Sequence, residues 1–462
     1  MNLYDYQEDG VRWMLERETH KDKGKPMGGF LCDEMGLGKT IQLISVMLRN
    51  PVKNTLVIVP KSIVTQWKQE IHKFAPQISV FVYDGLNRSR ELKNLTDNDI
   101  TLCPYSLLNE EDPVIHKLKW NRIILDEAHE IRNRRSRRFK SAHALASDIR
   151  WIVTGTPVFN KVDDFVSLCM FLGIDRLTVQ CNLDKIRSMY VLRRTKNEDS
   201  IPKCHFENIE LDMYPEEKKM YEHVFSESQE MIREMLRNSS GNTSIYNMDI
   251  LECLLRARQA MIWPQLYVDG MSKKMQQDFE PWVGRSKKLE TLFQMISEHQ
   301  DEKSIIFCQF MGEMNYIQEN LQCPVFRIDG SCSKERRESQ LNEFRRAPSN
   351  SVFIIQVKAG GQGLNIQCAS RVYITSPAWN PGTELQAIGR CHRTGQTKEV
   401  YVKKLIYKGD EKHPSVEESI VALQVRKSHE SAEVLDDLRI KTQLPGRSEG
   451  LSISEIRNIF KA

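Results

Sequence analysis

Seven short apolar runs, each closed by a turn signal, constrain the fold of this chain more than any other feature. Gly29-Phe30-Leu31-Cys32, Leu56-Val57-Ile58-Val59, Ile123-Ile124-Leu125 and Trp151-Ile152-Val153 form a first set. Ser304-Ile305-Ile306-Phe307-Cys308, Val352-Phe353-Ile354-Ile355 and Val372-Tyr373-Ile374 form a second. A strand covered by helices on both faces needs no alternation of apolar and polar residues, so such runs read as buried parallel strands. The polar and helical stretches between them have the length of crossover helices. The chain is therefore expected to be α/β, with two parallel-sheet lobes.

At 462 residues it is long enough for about three compact units. Residues about 214–283, rich in Glu, Lys, Met, Leu and Gln, are expected to be a helical insertion with a loop at Asn238 to Thr243. Val416 to Leu438 repeats that composition, and after Pro445-Gly446 a short terminal helix is expected. The expected division is 1–203 for the first lobe, 204–283 for the insertion and linker, 284–412 for the second lobe, and 413–462 for a C-terminal brace and tail. No apolar run approaches the ~20 residues of a membrane span, and the polar start lacks the layout of a secretory signal, so an intracellular protein is expected. The 11 cysteines are scattered without metal-ligand or redox spacing, which predicts reduced thiols and no zinc knuckle. A net charge of +4 neither demands nor forbids a polyanionic partner.

The chemistry is concentrated in two places. After the run ending at Cys32 comes Asp33-Glu34-Met35-Gly36-Leu37-Gly38-Lys39-Thr40, and then Ile41, Ile44 and Leu48 at helical spacing. Strand, Gly-rich loop and helix together hold phosphates: backbone N–H groups and the helix N-terminus take the oxygens, Lys39 the terminal phosphates, and the Thr40 hydroxyl a magnesium ion. The strict pattern has Gly where this chain has Asp33, so the loop is a shortened variant. The second place is Asp126-Glu127-Ala128-His129, delivered by the run Ile123-Ile124-Leu125 at the strand end where ligands of open α/β sheets bind. Asp126 is suited to hold magnesium through its water shell, and Glu127 to orient and deprotonate the attacking water. An acidic helix N-terminus is the plainer alternative for the Asp-Glu pair.

These motifs, in this order, resemble the superfamily-two helicase-type ATPases, and specifically the Swi/Snf family of DNA translocases. Tyr6-Gln7 with Gly10-Val11 and Trp13 resembles the family's adenine-recognition motif, in which Gln7 reads the base edge. Val59-Pro60 with Gln66-Trp67 resembles motif Ia, Thr154-Gly155-Thr156-Pro157 with Asn160 motif III, and Leu192-Arg193-Arg194-Thr195-Lys196 the element closing the first lobe. Phe307-Cys308-Gln309-Phe310 and Asp329-Gly330-Ser331 resemble the motif IV region, and Lys358 to Asn365 motif V. Trp379-Asn380-Pro381 leads into Gln386-Ala387-Ile388-Gly389-Arg390-Cys391-His392-Arg393-Thr394-Gly395-Gln396, which resembles motif VI and is the most specific signal. Gln356, and Met261-Ile262-Trp263-Pro264 in place of a Cys/His-containing stretch, depart from the family pattern.

The resemblance implies two RecA-like lobes with ATP and magnesium as cofactors and Gln386 among the nucleotide-binding residues. Arg390 and Arg393 are then the arginines that neutralise γ-phosphoryl charge on cleft closure. Their spacing puts both on one face if the segment is helical, and a surface salt-bridge role is the alternative. Lys61, Gln66, Tyr105, Ser106, Gln309, Lys358, Gly360, Gly361 and Trp379 are expected along a DNA groove, gripping phosphate without reading sequence. The basic run Arg132 to Lys140 fits a DNA-facing loop, a nuclear-localisation patch or a solvated face. Val416 to Gln424 resembles the family's brace helix and Leu451 to Phe460 its terminal helix, leaving a motor core nearly alone. The expectation is a monomeric DNA-dependent ATPase translocating on double-stranded DNA, with nucleosomes or other DNA-bound proteins as targets, in the nucleus or, for a virus-encoded protein, a viral factory or the cytoplasm. A strand-separating helicase and a hydrolysis-deficient ATP-binding scaffold are the rivals.

Overall fold

The computed structural model describes residues 3–20, 24–84, 92–109, 113–155, 162–195, 202–238, 247–360, 364, 366–379, 381–393, 395–435 and 459–460. The chain divides into two compact units, made mainly of Met1–Asn197 and Glu198–His429. The first holds strands β1 (Met27–Leu31), β2 (Thr55–Val59), β3 (Val80–Val82), β4 (Ile100–Pro104), β5 (Lys119–Asp126), β6 (Ala146–Val153) and β7 (Val191–Leu192). The second holds β8 (Cys204–Leu211), β9 (Ser304–Cys308), β10 (Val325–Ile328), β11 (Val352–Gln356), β12 (Arg371–Ile374) and β13 (Val400–Tyr407). The sheet orders are β3-β4-β2-β5-β6-β1-β7 and β10-β11-β9-β12-β13-β8, and every described pairing is parallel.

Each sheet is buried on both faces. In the first unit Leu56, Ile58, Ile123 and Leu125 face one apolar cluster, while Val57, Val59, Ile124 and Val153 face another. In the second, Ile306, Cys308, Ile354 and Tyr373 face one side, and Ile305, Phe307, Ile355 and Ile374 the other. This is why these strands are continuous apolar runs. Strands at sheet margins obey a different rule: β8 exposes His205, Phe206, Glu207 and Asn208, because β13 covers one of its edges and solvent bathes its outer residues. Cys204–Leu211, assigned from sequence to the helical insertion, is thus a strand of the second sheet. The helices that follow it are Pro215–Asn238, Asn247–Ile262 and Pro264–Met275.

The helix Val416–Leu435 is fastened to the second unit by a fully buried ion pair. Lys288 Nζ donates to both Glu417 oxygens at 2.6 and 2.7 Å, and the Tyr407 N–H donates to Glu417 Oε2 at 3.0 Å. Burial pulls the Lys288 ammonium below the ordinary lysine value, and Glu417 opposes that shift. Removing one partner strands the other charge, which costs about 3–5 kcal/mol. Glu417→Ala is therefore expected to lower the urea midpoint of the second unit markedly, whereas Lys288→Met with Glu417→Leu restores most of it. An unchanged midpoint in Glu417→Ala would remove this pair from the anchorage. Beyond residue 435 only Ile459 and Phe460 are described, and Phe460 packs its ring 5.0 Å from Phe225. The rest of the expected terminal helix and the Pro445-Gly446 turn lie outside the described residues, as does most of the Asn238 to Thr243 loop.

Candidate active site

The first unit gathers its chemistry at the carboxyl ends of β1, β5 and β6. β1 runs into the loop Cys32 to Gly38, which opens the helix Lys39–Arg49. Gly36 and Gly38 have φ of +93° and +75°, the left-handed conformation that lets the loop double back and that side chains disfavour. The helix has no acidic residue in its first turn, so its N-terminal N–H groups keep their positive field for an anion. Lys39 Nζ donates to the carbonyl oxygens of Asp33 at 2.9 Å and Glu34 at 3.4 Å, so the loop wraps its ammonium. Burial lowers the Lys39 pKa, while Glu127, Asp33 and Asp126 raise it. A β-carbon at Gly155 would lie 2.6 Å from Lys39 Nζ and from Met35 Cγ. Gly155, read from sequence as part of the motif III resemblance, thus leaves room for Lys39 and Met35, which any side chain there would displace.

Asp33 has a structural explanation. Its carboxylate is fully buried and accepts from Arg194 Nε at 3.0 Å, the Arg194 N–H at 3.1 Å and Gln42 Nε2 at 3.0 Å, and Arg194 Nη2 also pairs with it. The loop backbone continues the ladder to the chain after β7, through Cys32 N to Leu192 O at 2.8 Å and Glu34 N to Arg194 O at 2.9 Å. Asp33, expected among the nucleotide-binding residues, instead spends its acceptors tying the loop to Arg194 and the helix. Gln7 packs onto the same loop: its Nε2 donates to the Leu37 carbonyl at 3.1 Å, and its Oε1 accepts from the Tyr4 N–H at 3.1 Å.

β5 ends at the carboxylates. Asp126 Oδ2 accepts from the indole N–H of Trp67 at 2.8 Å, and Oδ1 from the Glu127 N–H at 2.9 Å. Burial first, and then the neighbouring Glu127, push Asp126 up to about 6, against the pull of Trp67 and Lys39. Glu127 adopts φ of +52°, a strained conformation for a residue with a side chain. The following turn brings His129 Nδ1 to 3.5 Å from Glu127 Oε2. Among the described residues, Thr154 at the end of β6 keeps a buried hydroxyl with no hydrogen-bond partner, as does Tyr105 after β4. Two carboxylates beside one ammonium, with unmet hydrogen-bonding capacity around them, fit a divalent cation arriving with a phosphate chain. Asp126 and Thr40, the latter in the first helical turn, are the residues that would hold it.

In the second unit the helix Pro381–Ile388 carries Gln386, and the chain then leaves helical geometry. Arg390 N donates to Ala387 O at 3.2 Å, and Cys391 N and His392 N both donate to Ile388 O, at 2.9 and 3.0 Å, so the chain runs on from the helix end in turns around Gly389. Arg390 and Arg393 therefore do not share a helix face; the helical expectation fails because glycine and tight turns end the helix before them.

The residues expected along DNA differ in placement. Lys61 and Ser106 are exposed and Gln66 is half-buried. Tyr105 is 2% exposed in the core, so its side chain is not offered to a phosphate backbone, contrary to expectation. Gln309 is half-buried beside Ser376, its Nε2 donating to the Ser376 carbonyl at 3.4 Å. Trp379 packs against Arg258, whose guanidinium carbon is 4.5 Å from the ring. Gly360 ends the short helix Val357–Gly360, while the Lys358 side chain and Gly361 lie outside what is described, as do Thr156, Pro157 and Asn160. In the basic run, Arg138 pairs with Glu130 and Phe139 is buried, so the run is partly built into the helix Arg137–Ala144.

Comparison with known proteins places the chain in a family. The SNF2-related domain matches residues 6–266, and the helicase conserved C-terminal domain matches 287–395. The probable global transactivator of Orgyia pseudotsugata multicapsid polyhedrosis virus is 29% identical over 92% of this chain and 90% of its own length. The ISWI chromatin-remodeling complex ATPase ISW1 of Saccharomyces cerevisiae is 29% identical over 92% of this chain and 40% of its own. A solved Sulfolobus solfataricus SWI2/SNF2 ATPase core in complex with dsDNA is 29% identical, covering 99% of this chain and 97% of that one, with a TM-score of 0.41. The chain spans about half the length, or less, of several other relatives. With the first of these domains matched over more than half of its residues, the chain belongs to the SNF2-related family of superfamily-two ATPases.

Proposed function

We propose that this chain is a DNA-dependent ATPase that uses ATP and magnesium to translocate along double-stranded DNA and to remodel or displace proteins bound there. The observation that carries the reading is the gathering of Lys39, Asp126 and Glu127 at the carboxyl ends of β1 and β5, on either side of β6, where both carboxylates raise the Lys39 pKa. ATP binds with its phosphates on the loop N–H groups, the Lys39 ammonium and the helix N-terminus. Magnesium, when bound, neutralises phosphate charge; Asp126 and Thr40 hold it. Glu127 takes the proton of the attacking water, and Arg390 and Arg393 neutralise charge developing on the γ-phosphoryl group. Gln7 and Gln386 complete nucleotide recognition. The presence of Lys39, Asp126, Glu127, Arg390 and Arg393 together argues against a scaffold that has lost hydrolysis.

Lys61, Gln66, Ser106, Gln309, Lys358, Gly360, Gly361 and Trp379 are the proposed DNA-facing set, with nucleosomes or other DNA-bound proteins as targets. The yeast relative supports a nuclear setting and the viral relative a viral one. Backbone grip is sequence-independent and releases counterions, so stimulation of ATPase by duplex DNA is expected to fall steeply with salt. A third strand annealed to a duplex is expected to be displaced with ATP, while a partial duplex stays paired. Robust ATP-dependent melting of long duplexes without third-strand displacement favours the helicase rival, and stimulation by RNA alone rejects DNA as the substrate.

A further inference from the structure

Two buried aromatic residues of the first unit have no role in the reading above: Trp67 bonds directly to a hydrolytic carboxylate, and Tyr105 follows β4 in the same sheet. Trp67, on the helix Val64–Phe74, is 2% exposed and gives its one polar hydrogen to Asp126 Oδ2. Asp126 Oδ1 is taken up by the N–H of Glu127, the residue held at φ of +52°. The indole thus fixes the carboxylate from which the strained Glu127 backbone departs. Tyr105, at the start of the turn after β4, is equally buried, and its hydroxyl has no hydrogen-bond partner among the described residues. Burial first, and then the charges of Asp126, Glu130 and Glu127 against that of Arg138, keep the phenol protonated by raising its pKa. A buried hydroxyl left unsatisfied costs about 1–3 kcal/mol, so it persists where something absent from the protein itself completes it. A neutral phenol beside carboxylates is a donor, and water held by those carboxylates is the acceptor its surroundings offer.

We infer that Trp67 and Tyr105 are positioning residues for the ATPase reaction: Trp67 locks the orientation of Asp126, and Tyr105 donates a hydrogen bond to water held by Asp126, apart from the attacking water, when nucleotide and magnesium are bound. This rests on the proposed hydrolytic role of Glu127. Neither residue touches the reacting atoms, and both act through the carboxylates and their water. Removal of such outer partners typically costs about 10–100-fold in activity or metal affinity.

The test uses the whole chain, with kcat and KM for ATP measured under saturating duplex DNA, and Tm measured alone, with ADP, and with ADP plus magnesium. Tyr105→Phe deletes only the unsatisfied hydroxyl. Its Tm alone is expected to equal or exceed wild type, while kcat falls about tenfold at unchanged KM and the extra stabilisation by magnesium with ADP shrinks. A purely structural tyrosine would lower the Tm of the protein alone and leave the magnesium increment intact. Trp67→Phe keeps a smaller aromatic ring and removes the donor. It is expected to lower kcat by a similar factor and to raise the magnesium concentration needed for half of the ADP-dependent stabilisation. If Trp67→Phe does not fold, Tyr105→Phe decides. Glu127→Gln runs alongside: wild-type hydrolysis in Glu127→Gln defeats the hydrolytic reading itself. An inactive Glu127→Gln beside Tyr105→Phe and Trp67→Phe with wild-type kcat and magnesium response overturns the positioning roles alone.

Discussion

Glu127→Gln is expected to bind ATP almost as wild type does and to lose turnover by at least about 10²–10⁴-fold, the contribution of a positioned general base. The amide preserves the size and much of the hydrogen bonding of the carboxylate but cannot take a proton from water. Lys39→Ala is expected to show the complementary pattern. Its ammonium is wrapped by the loop carbonyls of Asp33 and Glu34, so its loss removes a charge-assisted phosphate contact and weakens nucleotide binding by about 2 kcal/mol or more. Fluorescent-nucleotide binding and steady-state phosphate release separate the two effects. Wild-type-like turnover in Glu127→Gln would reject the assignment of the base.

Arg390→Ala and Arg393→Ala are each expected to lower kcat by about 10³–10⁵-fold with little change in ATP affinity. An arginine acting on charge that develops only in the transition state contributes to turnover and hardly to ground-state binding. The two side chains leave the chain from successive tight turns after Ile388, so each is positioned by its own backbone, and the two substitutions need not be equivalent. Thermal unfolding guards the interpretation. A variant that loses Tm along with activity identifies a structural arginine, and normal hydrolysis with DNA present removes that residue from catalysis.

Sequence reading and structure part company for identifiable reasons. Continuous apolar runs located the central strands because both faces of each sheet are covered. The same criterion passed over β3, β4, β7, β8, β10 and β13: the marginal β8 exposes His205, Glu207 and Asn208, β3, β7 and β10 are short and mostly half-buried, β13 is interrupted by Lys403 and Lys404, and the buried β4 is broken by Thr101 and Pro104. Local chemistry was equally legible: Gly36 and Gly38 occupy the left-handed positions that a phosphate loop needs, and Asp126-Glu127 stand at a strand end. Tyr105 was misjudged because a strand-end tyrosine followed by serine reads the same whether its ring points outward or into the core.

By itself, the sequence determined the α/β class, the order of the chemical motifs and the residues able to handle a phosphate chain, because these depend on neighbours within a few positions. Only the tertiary structure decided the partners of those residues. Asp33 looks like a defect in a glycine-rich loop until Arg194, 161 residues away, is seen to take its carboxylate. Trp67 looks like one more core aromatic until its N–H is found on Asp126, 59 residues on. Hydrogen-bond pairing in a buried site is set by where crossover helices return the chain to the sheet. That is a property of packing on both faces at once, which no local spacing encodes.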